Sequence, residues 1–405
     1  MKIKVLHILN RLIIGGPTII ALNIIENLSD QFEIKLLVGG KEDGEEDGNY
    51  IFESMPSNIV VVPQMRRSIN LFNDISAYRA IKRIIKQYQP DIIHTHASKA
   101  GALGRLAAIH SKVPIILHTF HGHVFHSYFG KLSTSLFINT ERYLAKKSTK
   151  IIAISDSQRK ELSLDFKICK EEKIKVIPNG IAVEKFIEQP IQKRIDFRKS
   201  MAVYDEDIVL IGIVGRMAPV KNHAMFINIA YDILKKENNS KVKFVIVGDG
   251  ETRLDVQQQI TQLKMNFCYL PENKNAEQAE VILTSWQTDM DYVFSGLDIV
   301  CLTSLNEGTP TSLIEAQAAG CPIVSTDVGG VRDTVIQSKT ALLSDPNDID
   351  TFCDHLQMLI DNKSLRKQMG MSGQKFVMEK YNQHRFIKEI SELYKELYAQ
   401  KGSSS

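Results

Sequence analysis

Glu307-Gly308-Thr309-Pro310-Thr311-Ser312-Leu313-Ile314-Glu315 is the stretch on which the reading of this chain turns. The apolar run Leu297-Asp298-Ile299-Val300-Cys301-Leu302 leads into it and has the make-up of a buried parallel strand. Gly308 and Pro310 then turn the chain into a short helix that Gly320 can end, with Pro322 blocking its continuation. The first turn of such a helix presents unpaired backbone N–H groups, which favour an anion. Two carboxylates flank it: Glu307 on the loop, and Glu315 within an otherwise small and apolar helix. Strand, anion-binding turn, helix and two placed acids imply a nucleotide-sugar pocket.

The surrounding sequence repeats this strand-then-helix pattern. Val5–Leu9, Ile34–Val38, Ile59–Val62, Asp91–His94, Ile115–His118, Ile151–Ile154 and Ile174–Ile177 read as strands of one sheet. Helical stretches such as Ile19–Leu28, Ala77–Tyr88 and Leu103–His110 separate them. The alternation predicts βαβ units and a parallel, doubly wound α/β sheet. Residues 184–205 are polar and charged and suit a linker between domains. A second series follows: Ile208–Val214, Val242–Val247, Val281–Leu283, Leu297–Leu302, Pro322–Ser325 and Ala341–Leu343. Two Rossmann-like domains facing one cleft are expected, with ligands beyond the carboxyl ends of the strands. A last helical pattern runs from about Phe376 to Leu397.

A chain of 405 residues is too long for one ordinary core, which agrees with two domains. A net charge of +3 is too small to call for a nucleic-acid partner. Five scattered cysteines without CxxC spacing fit reduced thiols, hence a cytoplasmic protein, rather than a disulfide framework or zinc site. No run is long enough to span a bilayer, so any contact with the inner membrane face is peripheral.

Several loops carry candidate chemistry. Gly215-Arg216-Met217-Ala218-Pro219-Val220-Lys221 follows a strand. Its two cations suit a diphosphate: Arg216 as a fork for two oxygens, Lys221 as a point charge. Gly15 and Gly16 follow the first strand and allow close backbone approach to a phosphate or sugar, although an ordinary tight turn explains them as well. Seven of eleven histidines lie between His94 and His126. His94-Thr95-His96 and His121-Gly122-His123 both follow expected strands, and neutral imidazoles bonded to a sugar fit there better than a metal, since no suitably spaced Cys or acid accompanies them. Asp289-Met290-Asp291 reads as acids at a helix start rather than as a metal motif. Gly248-Asp249-Gly250 reads as a βα turn near the ligand. The basic, aromatic segment 126–150 suits either an amphipathic helix on its own sheet or a contact with anionic lipid.

These features resemble the family 4 retaining glycosyltransferases of the GT-B fold, over essentially the whole chain. Glu307 to Glu315 matches the family's E-x7-E motif, Arg216 and Lys221 its cationic pair, Gly15 and Gly16 its glycine loop, and His121 a cleft histidine that touches the donor sugar. The stretches 94–101 and 118–125 resemble a bacterial surface-polysaccharide subgroup. The resemblance implies that Glu315 binds ribose hydroxyls. It implies that Glu307 contacts the donor sugar, helped by backbone N–H groups across Gly308, Thr309, Pro310, Thr311, Ser312 and Leu313 (Pro310 lacking one). Trp286 and Gln287 would touch the base. Related sequences often carry glycine before that tryptophan; here Thr284-Ser285 precedes it.

Also implied are an acceptor domain over 1–186, a donor domain over 187–384, and a final helix at about 385–400 that packs back on the first domain. The implied reaction is metal- and cofactor-free transfer from a nucleoside diphosphate sugar, expected to be UDP-linked, to a polyprenyl-diphosphate-linked or other glycan acceptor. A GT-B-like UDP-sugar epimerase and a non-catalytic nucleotide-sugar-binding protein are the alternatives.

Overall fold

The computed structural model describes residues 2–10, 16–40, 58–66, 68, 70–121, 131–236, 239–273 and 276–402. The chain forms two compact units, Met1–Gly180 with Gln383–Ser405, and Ile181–Asn382.

The first unit holds β1 (Ile3–Leu9), β2 (Phe32–Gly39), β3 (Ile59–Val62), β4 (Ile92–His96), β5 (Ile115–Phe120), β6 (Lys150–Ala153) and β7 (Ile174–Val176). They pair in the order β3-β2-β1-β4-β5-β6-β7, every pair parallel. The order reverses between β1 and β4, which is the switch point of a doubly wound sheet. The burial pattern of β1, β4 and β5 lacks polar alternation because helices cover both faces. One face packs on the helices Gly16–Leu28 and Gln383–Gly402, whose Phe386, Ile390, Leu393, Tyr394 and Leu397 join the core.

The second unit repeats the plan with β8 (Val209–Val214), β9 (Val242–Val247), β10 (Phe267–Tyr269), β11 (Val281–Leu283), β12 (Ile299–Leu302), β13 (Ile323–Thr326) and β14 (Ala341–Ser344). Their order is β10-β11-β9-β8-β12-β13-β14, again all parallel, with its switch point between β8 and β12.

Three expectations are corrected. Residues 184–205 are not a linker: they form the helices Glu184–Ile187 and Pro190–Ser200 inside the second unit. Arg198 there is 1% exposed and donates to Asp298 Oδ2 at 2.6 Å and to the carbonyls of Ile208 and Gly296. Its charge is buried because it is paired. For the same reason the units divide at 180/181 rather than 186/187: Phe186 belongs to the second core, and Ile181 pairs with Asn382. The final helical pattern is two helices, Lys363–Lys380 and Gln383–Gly402, broken where the hydroxyl of buried Tyr381 donates to Asp333 O at 2.7 Å. Among the described residues no helix is long and apolar enough to cross a membrane. All five cysteines are free thiols.

Candidate active site

Loops leaving neighbouring strands at a switch point diverge and open a crevice. In the second unit these are the loops after β8 and β12, which carry Arg216, Lys221 and Glu307. Backbone bonds stitch them together. Leu305 N donates to Val220 O at 2.8 Å, and the Thr303 hydroxyl donates to the carbonyls of Lys221 and Asn222. Asn222, in left-handed backbone at φ 51°, turns the chain from Lys221 into the helix His223–Leu234.

Lys221 and Glu307, 86 residues apart in sequence, meet there. Glu307 Oε1 accepts from Lys221 Nζ at 2.6 Å and from Ser304 Oγ at 2.5 Å. The Glu307 side chain is 10% exposed and that of Lys221 23%. Mostly but not fully buried, opposed and hydrogen-bonded, the pair is pre-oriented without being sealed from solvent. Arg216 differs: its guanidinium is 66% exposed and lies against Glu251 at 3.0 Å, a loose pair that an incoming anion can displace.

Glycines brace these loops. A Cβ on Gly248 would lie 2.1 Å from Gly215 O, and one on Gly250 2.4 Å from Met217 O. Gly248-Asp249-Gly250 is therefore the support on which the Arg216 loop rests, with Met217 N donating to Asp249 O at 2.8 Å. Sequence reading missed an equivalent support under Glu307. Gly329 has φ 49°, its Cβ would lie 2.0 Å from Glu307 O, and Gly330 N donates to that oxygen. The Gly329-Gly330 pair after β13 was the available signal.

Beyond Gly308 the expected short helix spans Thr311–Ala318, starts from Pro310 without a side-chain cap, and includes Thr311, Ser312, Leu313 and Glu315. Gly320 at φ 80° ends it, with Gly320 N on Gln317 O and Cys321 N on Ala316 O. That is a Schellman closure. Glu315 is half-buried, and burial raises its carboxyl from 4.5 to about 7.

The Trp286 loop answers the missing glycine. Ser285 takes φ 62°, the left-handed region a glycine would occupy, and its hydroxyl donates to Asp249 Oδ2 at 2.8 Å. Asp249 also accepts from Tyr269 Oη at 3.0 Å and from Gly250 N, so hydrogen bonds hold a conformation that glycine would adopt unaided. Trp286 and Gln287 beyond it are exposed. Asp291 of the DxD stretch pairs with Lys193 at 2.7 Å, at the start of the helix Met290–Gly296.

In the first unit Gly15 lies outside the described residues, and Gly16 begins the helix Gly16–Leu28. His123 and His126 also lie outside them. His94 and His96 do not follow β4, as expected, but lie within it, fully buried. His121 stands just beyond β5, with Nε2 2.9 Å from His96 Nδ1. Burial lowers its pKa to about 4, so the ring is neutral. His7 on β1 was overlooked, although alternation along β1 and β4 places it beside His94.

Comparison with known proteins fits this geometry. Residues 193–376 match the model for glycosyl transferases group 1, and residues 14–185 that for Glycosyltransferase Family 4. An Escherichia coli protein named UDP-Gal:alpha-D-GlcNAc-diphosphoundecaprenol alpha-1,3-galactosyltransferase is 30% identical over 99% of this chain and 98% of its own. The chain is a family 4 glycosyltransferase. This glycosyltransferase is also 28% identical to the capsular polysaccharide biosynthesis glycosyltransferase CapM of Staphylococcus aureus, over 82% of this chain and 84% of CapM. Its two sheets give it the GT-B fold. The crystal structure of Anabaena HepE in complex with UDP superposes with a TM-score of 0.78, at 18% identity, over 98% of the glycosyltransferase and 100% of HepE.

Proposed function

We propose that the enzyme transfers a sugar, with retention, from a UDP-linked donor to a lipid-linked glycan acceptor in surface-polysaccharide synthesis, without a metal or cofactor. The observation that carries this reading is the Lys221–Glu307 contact at the switch point between β8 and β12. The names of the Escherichia coli relative and of CapM, and the UDP bound to HepE, support the choice of donor and acceptor class.

In this reading Lys221 and Arg216 neutralise the donor diphosphate, and the N-terminus of the helix Thr311–Ala318 assists. Arg216 leaves Glu251 to do so. Glu307 receives hydroxyls of the donor sugar, Glu315 the ribose, and the loop at Trp286 and Gln287 the base. His121 contacts a substrate hydroxyl. Charge develops on the departing diphosphate, where fixed cations are worth most. The acceptor hydroxyl attacks the face that the diphosphate leaves and passes its proton to a leaving phosphate oxygen, so no protein nucleophile is required.

Peripheral membrane contact is part of the proposal. The helix Lys131–Lys147 exposes Leu136 and Tyr143 beside Lys146 and Lys147, and Phe72 of the helix Leu71–Tyr88 is 85% exposed. Exposed apolar residues among cations suit an anionic lipid surface.

A screen of nucleotide sugars for UDP or GDP release, with and without a bacterial lipid extract, tests the reading. UDP release that needs both a UDP-sugar and the extract is expected. Conversion of a UDP-sugar into another sugar nucleotide without any acceptor would refute it, as would UDP-sugar binding with no release under any condition.

A further inference from the structure

Alternation along β1, β4 and β5 places His7, His94, His96 and Thr119 on the sheet face covered by the helix Gln383–Gly402, which contributes Tyr394. Their polar atoms form one unbranched chain. Thr119 Oγ1 is 2.7 Å from His94 Nε2, and His94 Nδ1 is 2.6 Å from Tyr394 Oη. Tyr394 Oη is 3.2 Å from His7 Nε2, and His7 Nδ1 is 3.0 Å from His96 Nε2. His96 Nδ1 is 2.9 Å from His121 Nε2. His121 Nδ1, itself buried, has no partner among the described residues and closes the chain.

The polarity of this chain follows from counting protons. Burial lowers the pKa of every ring in it, so each imidazole is neutral, with one donor and one acceptor. The buried Tyr394 hydroxyl must likewise donate its proton to one of the two rings beside it, so all bonds point the same way. Thr119 decides the direction: it is 5% exposed and its hydroxyl has no other partner among the described residues. Its proton is satisfied only by donating to His94 Nε2. His94 Nδ1–H then donates to Tyr394, Tyr394 to His7 Nε2, His7 Nδ1–H to His96 Nε2, and His96 Nδ1–H to His121 Nε2.

We propose that this chain fixes His121 as the Nδ1–H tautomer, a neutral hydrogen-bond donor to an oxygen of a substrate hydroxyl, with Thr119, His94, Tyr394, His7 and His96 as its positioning residues. The proposal rests on the reading that His121 meets substrate. Being protonated at Nδ1, His121 cannot take the acceptor's proton at that atom, in keeping with the leaving phosphate oxygen as the proposed destination. The ligand atoms of His7, His94 and His96 lie within 4.8 Å of one another, as in a metal site, but every ring nitrogen of the three is already in a hydrogen bond.

Ring 15N NMR of the full chain labelled at histidine tests the tautomer directly. The expected result is a protonated Nδ1 and a bare Nε2 at His121. A protonated Nε2, or binding of one equivalent of zinc with loss of the chain's N–H signals, would overturn the proposal. His96→Gln can relay the same polarity through its amide, whereas His96→Leu cannot. Using whichever of UDP-galactose, UDP-glucose and UDP-N-acetylglucosamine the wild type consumes, His96→Leu should lose about tenfold in kcat with KM within about twofold, and His96→Gln should restore most of it. Equal turnover in both variants and wild type would count against the positioning role. If His121→Ala alone keeps wild-type turnover, the substrate contact falls, while the NMR result still decides the tautomer.

Discussion

The switch points of the two sheets share a topology and differ in chemistry. At the second, between β8 and β12, the loops present formal charge: Lys221 against Glu307, with Arg216 exposed beside Glu251. At the first, between β1 and β4, the strands present buried, neutral imidazoles, His7, His94 and His96, leading to His121. Charge at the second edge is tolerable because it is paired and reached by water. The first edge excludes water, and its histidines avoid the cost of burying charge by staying neutral. The same topology thus carries paired charge in one unit and neutral imidazoles in the other.

The charged edge should be the more sensitive. Lys221→Ala or Glu307→Ala should lower kcat/KM by about a hundredfold or more while thermal unfolding stays cooperative, because each also strips its partner of a counter-charge. Wild-type turnover in both would dissolve the contrast. Arg216→Ala should cost less, about tenfold and mainly in KM, since its side chain must leave Glu251 to bind. An effect on kcat equal to that of Lys221→Ala would place Arg216 at the same level.

Glu315 supplies a pH test within the charged edge. Its folded-state pKa of about 7 lies above the usual 4.5. The native protein keeps a proton that the unfolded chain loses between those values, so stability falls as pH rises through the window. Glu315→Gln should leave stability unchanged below that window and raise it by about 1–3 kcal/mol at about pH 8, read as urea midpoints. The smallest effect is expected at Ser285. Ser285→Gly relieves left-handed strain but loses the bond to Asp249, a near balance within about 1 kcal/mol, whereas Ser285→Ala loses the bond and keeps the strain. A larger loss in the glycine variant than in the alanine variant would refute that account of the Trp286 loop.

The strands at the centre of both sheets were legible because they are apolar runs bounded by turn residues. The edge strand Phe267–Tyr269 was not: three residues with Phe267 36% exposed give no pattern to read. Residues 184–205 misled because hydropathy counts charge and cannot see pairing; Arg198 and Lys193 look solvated until Asp298 and Asp291 are found opposite them. The charged site was half legible. Arg216, Lys221, Glu307 and Glu315 announce themselves by type and position, but the contact between Lys221 and Glu307 spans 86 residues and only the sheet order creates it. His7 was invisible for the same reason, since an isolated histidine in an apolar strand gains meaning only from its register against His94.

The division of labour at the charged edge is tested most directly by calorimetric titration of UDP and of the matching UDP-sugar into wild type, Lys221→Ala and Glu307→Gln. Lys221→Ala should weaken both ligands alike, by about tenfold or more, because both carry the diphosphate. Glu307→Gln should weaken the UDP-sugar and leave UDP unchanged, because only the former carries the hydroxyls assigned to it. Equal weakening of UDP and UDP-sugar in Glu307→Gln, or unchanged binding of both in Lys221→Ala, would contradict it.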